Sequence, residues 1–202
     1  MTEGGRSGTL EAIVLAAGAG LRFGGAKLTA PWRGGLLIHG ALAAAFAAPA
    51  RAVAVVTGAD PLVGPAAADW ADAHGEGDRL RIVHAADHAE GMAASLRAGV
   101  AALPADASGV FLFLGDMPDV PVAILQPLAG ALASGVKAAA PVFDGRRGHP
   151  VLFSRELFVG LTALKGDAGA RDILGGLGKA LVLVQTGDHG VLFDVDTAAT
   201  SP

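Results

Sequence analysis

The sequence contains no cysteine, which removes disulfides, thiolate metal sites and cysteine nucleophiles together. It also lacks a long apolar run. A membrane-spanning helix needs about 20 consecutive apolar residues, and the best candidate, Leu36 to Ala48, is shorter and carries His39. No secretory signal is visible, because Met1 to Gly8 is polar and glycine-rich, with no charged start leading into an apolar stretch. We therefore expect no membrane association and a cytoplasmic protein. Positive charge is scattered, with one tight pair at Arg146–Arg147, and the net charge is -4 with histidines neutral. A duplex-binding protein shows a basic face, so no nucleic-acid partner is expected. A small anionic ligand needs only a few well-placed cations and stays open.

What is present is a hydrophobic chain of 202 residues, 52% of them apolar, enough for one packed domain and short for two. Short apolar runs at Ala12–Leu15, Ala52–Val56, Leu80–His84 and Val110–Leu114 are each followed within two residues by Gly, Asp or Ala, as buried parallel strands ending in loops are. Between them lie helical candidates at His39–Ala47, Pro61–His74, Glu90–Leu103 and Val122–Ala133, with Pro61 and Pro121 suited to first turns. After Ala140 the rhythm breaks: Pro141 to Phe153 reads as two strands around a glycine-rich turn. Helices are then expected near Arg155–Leu164 and Ala168–Leu174, and closing strands at Leu181–Val184 and Val191–Val195. The βαβ rhythm implies an α/β fold with a mainly parallel, mixed sheet and helices on both faces. Residues 1–9 are expected to be a disordered leader, residues 10–197 a single domain and residues 198–202 a tail.

The first strand runs into Ala16-Ala17-Gly18-Ala19-Gly20-Leu21-Arg22-Phe23-Gly24-Gly25-Ala26-Lys27-Leu28. Small side chains let backbone N–H groups approach and surround phosphate oxygens, and Arg22 and Lys27 add positive charge. Two familiar phosphate motifs fail. In the dinucleotide fingerprint the sixth position must be glycine, but counting from Gly18 it is Phe23; in the P-loop, Gly20 and Gly25 are spaced correctly, but Ala26 precedes Lys27 and Leu28 supplies no hydroxyl. A third kind of phosphate loop is required. The fourth strand ends in Gly115-Asp116-Met117-Pro118, placing a carboxylate where open α/β sheets bind ligands. Magnesium takes one or two carboxylates together with phosphate oxygens and water, so Asp116 is the candidate metal ligand, while Asp119 suits a helix cap.

At the first loop the sequence resembles the MobA/MocA-type nucleotidyltransferases. Leu15-Ala16-Ala17-Gly18, followed by Arg22-Phe23-Gly24 and Lys27-Leu28, is similar to their signature, and its Leu-Ala-Ala-Gly opening and Lys-Leu ending resemble the molybdenum cofactor cytidylyltransferase branch. The resemblance implies a glycosyltransferase-A/Rossmann-like nucleotidyltransferase fold. It places the nucleotide on Leu15, Ala16, Ala17, Gly18, Ala19, Gly20, Arg22 and Lys27, with Arg22 and Lys27 on the triphosphate. Gly-Asp-Met-Pro resembles the family's metal-binding turn, although many cytidylyltransferases carry Gln at Met117. Phe193-Asp194-Val195-Asp196-Thr197 resembles the family's Asp-x-Asp-Thr ending, with Ala198 in place of the usual Pro. Either carboxylate is placed to complete the metal site, since in a strand both point to one face, and Asp194 is preferred.

On the acceptor side, Glu90 to Gly99 resembles the family's Gly-Met-Ser-Ser-Ser-Leu segment, keeping only Ser95 of the serines. Relatives often carry Asn where Ala85 stands. Gly145-Arg146-Arg147-Gly148-His149-Pro150 resembles a Gly-Arg-x-Gly-His-Pro hairpin. It implies that Arg146 or Arg147 meets an acceptor phosphate and that His149 contacts the acceptor. Gly166-Asp167-Ala168-Gly169-Ala170-Arg171 matches a further family segment, in which Asp167 also suits a helix cap. The implied reaction transfers CMP from CTP, or the equivalent from another nucleoside triphosphate, to the terminal phosphate of molybdopterin. Arg22, Lys27 and Asp116 are the catalytic residues, Mg2+ or Mn2+ is the cofactor, and delivery to a molybdenum hydroxylase follows. Two rivals remain: an NAD(P)H-dependent oxidoreductase of the nicotine-blue reductase type on the same fold, and a non-catalytic carrier of the molybdenum cofactor.

Overall fold

The computed structural model describes residues 9–20, 23–166 and 169–196. Arg22, Asp167, Ala168 and Thr197, together with nearly all of the expected leader and the whole of the expected tail, lie outside the described residues. The chain forms β1 (Leu10–Ala16), a small hairpin β2 (Pro31–Trp32) and β3 (Gly35–Leu36), α1 (Leu37–Ala47), β4 (Val53–Thr57), α2 (Val63–Ala73), β5 (Leu80–His84), α3 (Met92–Ala101), β6 (Gly109–Leu114), α4 (Leu125–Ala133), β7 (Ala138–Phe143), β8 (Arg146–Arg147), β9 (Val151–Ser154), α5 (Phe158–Thr162), α6 (Arg171–Gly176) and β10 (Leu181–Gln185).

The main sheet runs β10-β7-β9-β6-β1-β4-β5, with β8 attached to β7. Strands β5, β4, β1 and β6 are mutually parallel. The single β9 enters antiparallel between β6 and β7, and β10 returns parallel to β7. The mixed, mainly parallel α/β architecture is therefore as expected. Alternating side chains on each strand feed two cores, as the period of 2 requires. Ala12, Val14, Val55, Phe111 and Phe113 pack with α1, α2 and α4 on one face. Ile13, Val56, Val110, Leu112 and Phe153 pack with α3, α5 and α6 on the other.

Two elements depart from expectation. Strand β7 begins at Ala138, because Ala138, Ala139 and Ala140 are fully buried in the sheet; packing overrides the weak strand preference of alanine. Val191–Val195 is not a strand. Asp188 accepts a hydrogen bond from the Gly190 N–H (2.8 Å) and opens a 3-10 turn over His189–Leu192. The backbone groups that follow bond to loops: the His149 N–H donates to the Val191 carbonyl (2.8 Å) and the Val195 N–H to the Asp116 carbonyl (3.1 Å). A side chain at Gly190 would collide with the Asp119 carbonyl, so the tail lies tight against the turn after β6.

Candidate active site

Four segments meet at the carboxyl ends of β1, β4 and β6, where this class of sheet binds ligands. The loop after β1 folds back on itself, its Gly20 carbonyl accepting from the N–H groups of Phe23 (2.9 Å) and Gly25 (3.1 Å). Gly20 sits at φ +60, and a Cβ there would fall 2.8 Å from the Cβ of Lys27. Only glycine takes that backbone freely, and its bareness lets Lys27 close over the loop. Gly58, just past β4, approaches as closely: a Cβ would lie 2.8 Å from both the Cβ and the carbonyl of Ala17 and 2.7 Å from the Cβ of His88.

The turn after β6 is stitched to β1 by the Gly115 N–H, which donates to the Leu15 carbonyl at 2.9 Å. Asp116 is thereby carried across the first loop, and Lys27 Nζ donates to its Oδ2 at 2.8 Å. The same ammonium lies 3.9 Å from Asp196 Oδ1, which the Val195–Asp116 backbone bond holds in place.

These residues border a cleft of ≈ 680 Å³, lined by Leu15, Ala16, Ala17, Gly18, Ala19, Gly20, Lys27, Ser95 and Asp116 among the residues expected from sequence. It is also lined by Phe23, His88, Met92 and Asp196, among others. Ser95 is buried on α3. His88 gave no signal in the sequence, because its place depends on the bare Gly58 beside it. Asp196, rather than the preferred Asp194, lines the cleft. With no strand at 191–195, the argument that both carboxylates share a face no longer holds. Asp194 stays within electrostatic range: partial burial, then the like charges of Asp196 and Asp116, raise its carboxyl above the ordinary value.

Arg146 and His149 do not line this cleft. Arg146 is exposed on β8. His149 is turned inward, and burial lowers its pKa below the ordinary 6.5 against a smaller upward pull from the Leu112 backbone and from Asp116. Its Nδ1 has no partner among the described residues.

The donor set fits a hard divalent cation shared with phosphate. Asp116 and Asp196 provide two carboxylates, the number magnesium takes when phosphate and water complete its shell. Among the described residues no group of three or more His, Asp or Glu side chains comes together to hold a metal alone. Exposed small-residue backbone, one lysine and a carboxylate pair together suit a polyanion and a metal, the parts that phosphoryl-group chemistry uses. No helix among the described residues is long and apolar enough to cross a membrane.

Comparison with known proteins places the chain in a family. The family model for the MobA-like NTP transferase domain matches residues 12–181. The chain is 34% identical over 199 residues to purine catabolism protein PucB of Bacillus subtilis (strain 168), covering 95% of this chain and 94% of the relative. It is 25% identical over 196 residues to the molybdenum cofactor cytidylyltransferase of Escherichia coli (strain K12), covering 93% and 91%. The crystal structure of Rv0371c from Mycobacterium tuberculosis H37Rv superposes with a TM-score of 0.76 at 27% identity, covering 95% of this chain and 94% of that one. The chain belongs to the MobA-like NTP transferase family, and it is a nucleotidyltransferase whose substrate is a nucleoside triphosphate.

Proposed function

We propose that the protein transfers CMP from CTP to the terminal phosphate of a molybdopterin-type cofactor and releases pyrophosphate. The observation that carries the transfer chemistry is the meeting of Lys27 and Asp116, 2.8 Å apart, at the mouth of the glycine-rich loop. The choice of CTP and of the molybdenum cofactor is supported by the Leu15-Ala16-Ala17-Gly18 opening, by Lys27-Leu28 and by the similarity to a molybdenum cofactor cytidylyltransferase.

The backbone N–H groups of Ala16 to Gly20 hold the triphosphate, and Lys27, with Arg22, balances its charge. Asp116 and Asp196 hold Mg2+ or Mn2+, which when bound offsets negative charge on the phosphate oxygens. An oxygen of the acceptor phosphate forms a bond to the α-phosphorus as the bond to the bridging α–β oxygen breaks, and pyrophosphate departs with the electron pair. The acceptor phosphate is already anionic near neutral pH, so no general base is needed. The acceptor approaches from the Met92 and Ser95 wall, and the product passes to a molybdenum hydroxylase.

Pyrophosphate release tests the reading directly. Purified protein is given CTP, GTP or ATP with magnesium, each with and without molybdenum cofactor. Release with CTP plus cofactor, and little with the other pairs, is the expected outcome. Release with none of the pairs would sink the transferase reading, and preference for GTP would overturn the assignment of the base.

A further inference from the structure

Two demands compete for Lys27. The proposed reaction needs its ammonium at the triphosphate, yet here the same group is paired with Asp116 at 2.8 Å, with Asp196 3.9 Å away. The side chain is 12% exposed, so it is packed into this position rather than waving past it. Asp116 is also the carboxylate proposed to hold the metal. An ammonium and a divalent cation on one carboxylate repel strongly in a half-buried cleft. Nor do the described residues offer three convergent His, Asp or Glu ligands that would retain a metal unaided.

From this we infer that Lys27 is the resting counter-ion of the acidic site, and that the site takes up its metal only together with the triphosphate. The nucleotide's phosphates draw the ammonium away from Asp116, and the carboxylate is freed for the metal in the same event. The ligand recognised is then the metal–nucleotide chelate, with no metal resident between turnovers. Gly20 is what makes the exchange local. Its missing side chain leaves the loop folded onto the Lys27 stem, so the ammonium passes from carboxylate to phosphate by side-chain rotation alone. The inference rests on the metal reading of Asp116.

The test measures protein-bound manganese by equilibrium dialysis in the absence of any acceptor, with Mn2+ and its CTP chelate equal on both sides of the membrane, so that only the excess on the protein side counts as bound. Wild type, Lys27→Met, Lys27→Gln and Asp116→Asn are compared without nucleotide and with CTP, after far-UV circular dichroism shows each to be folded. Wild type is expected to bind Mn2+ weakly alone and much more tightly with CTP. Removing the charge should tighten Mn2+ binding without nucleotide by about tenfold, the scale of one unit charge taken from beside a partly solvated carboxylate. The gain should appear in both lysine variants, so misfolding of one does not decide the matter. Asp116→Asn should lose the CTP-dependent binding. If both lysine variants bind Mn2+ no better than wild type while Asp116→Asn still loses it, the counter-ion role is overturned and the metal site stands. If Asp116→Asn keeps full Mn2+ binding with CTP, the metal reading falls and this inference with it.

Discussion

Gly18→Ala separates a phosphate cradle from a flexible turn. Gly18 lines the cleft, is not among the glycines held at positive φ, and has nothing within 4 Å of where a Cβ would sit. In the ligand-free protein the added methyl therefore meets no obstacle, and reducing the freedom of the unfolded chain should stabilise the fold by about 0.4–1 kcal/mol. In the complex the same methyl lies among the N–H groups that must face phosphate. Losing one hydrogen bond to a charged oxygen costs about 1.5–3 kcal/mol, which corresponds to roughly a 10- to 150-fold weaker Kd. Urea unfolding and calorimetric titration with magnesium–CTP read the two effects separately. Gly20→Ala is the contrast. Its φ of +60 and the Lys27 Cβ at 2.8 Å predict a loss of about 1–3 kcal/mol of stability along with weaker binding. Unchanged CTP affinity in a folded Gly18→Ala protein would show that the loop does not bind phosphate through its backbone, and the derivation of the site would fail at its first step.

Other outcomes follow from the same geometry. Gly58→Ala forces a methyl against backbone and Cβ atoms of Ala17 and the Cβ of His88, an overpacking cost of about 1–3 kcal/mol. Urea denaturation should show that loss, and the KM for nucleotide should rise as the first loop is displaced. His149, its pKa lowered by burial, contributes stability that is fully present above about pH 6.5 and is lost as pH falls through its lower folded value. Titration of its ring nitrogens by nuclear magnetic resonance should therefore give a midpoint below the ordinary 6.5, and a midpoint at or above it would contradict the buried placement.

The parts of the fold and site that local sequence dictates were legible. Val110 to Leu114 and Leu80 to His84 are short, apolar and bounded by turn residues, and both are strands. The first loop stood out through its concentration of glycine and alanine, and every described residue expected there for the nucleotide lines the cleft. What escaped depends on packing between distant segments. Ala138 to Ala140 carry little strand preference and become sheet because both faces are covered. Val191 to Val195 is short and mostly apolar like a strand, yet the close approach of Gly190 to the Asp119 carbonyl and the Asp188 cap turn it into a 3-10 turn and an extended tail. That change exchanged Asp194 for Asp196 at the cleft. His88 joined the wall through the bare Gly58, a contact that no pattern near residue 88 encodes.

The most direct measurement follows the α-phosphorus. CTP labelled at that position is incubated with magnesium, the protein and molybdenum cofactor, and the products are separated. The label is expected to move onto the cofactor in equal amount to the pyrophosphate released, and Asp116→Asn to abolish both. Label that stays with free nucleotide while the cofactor is delivered intact, or transfer undiminished in Asp116→Asn, would contradict the proposal.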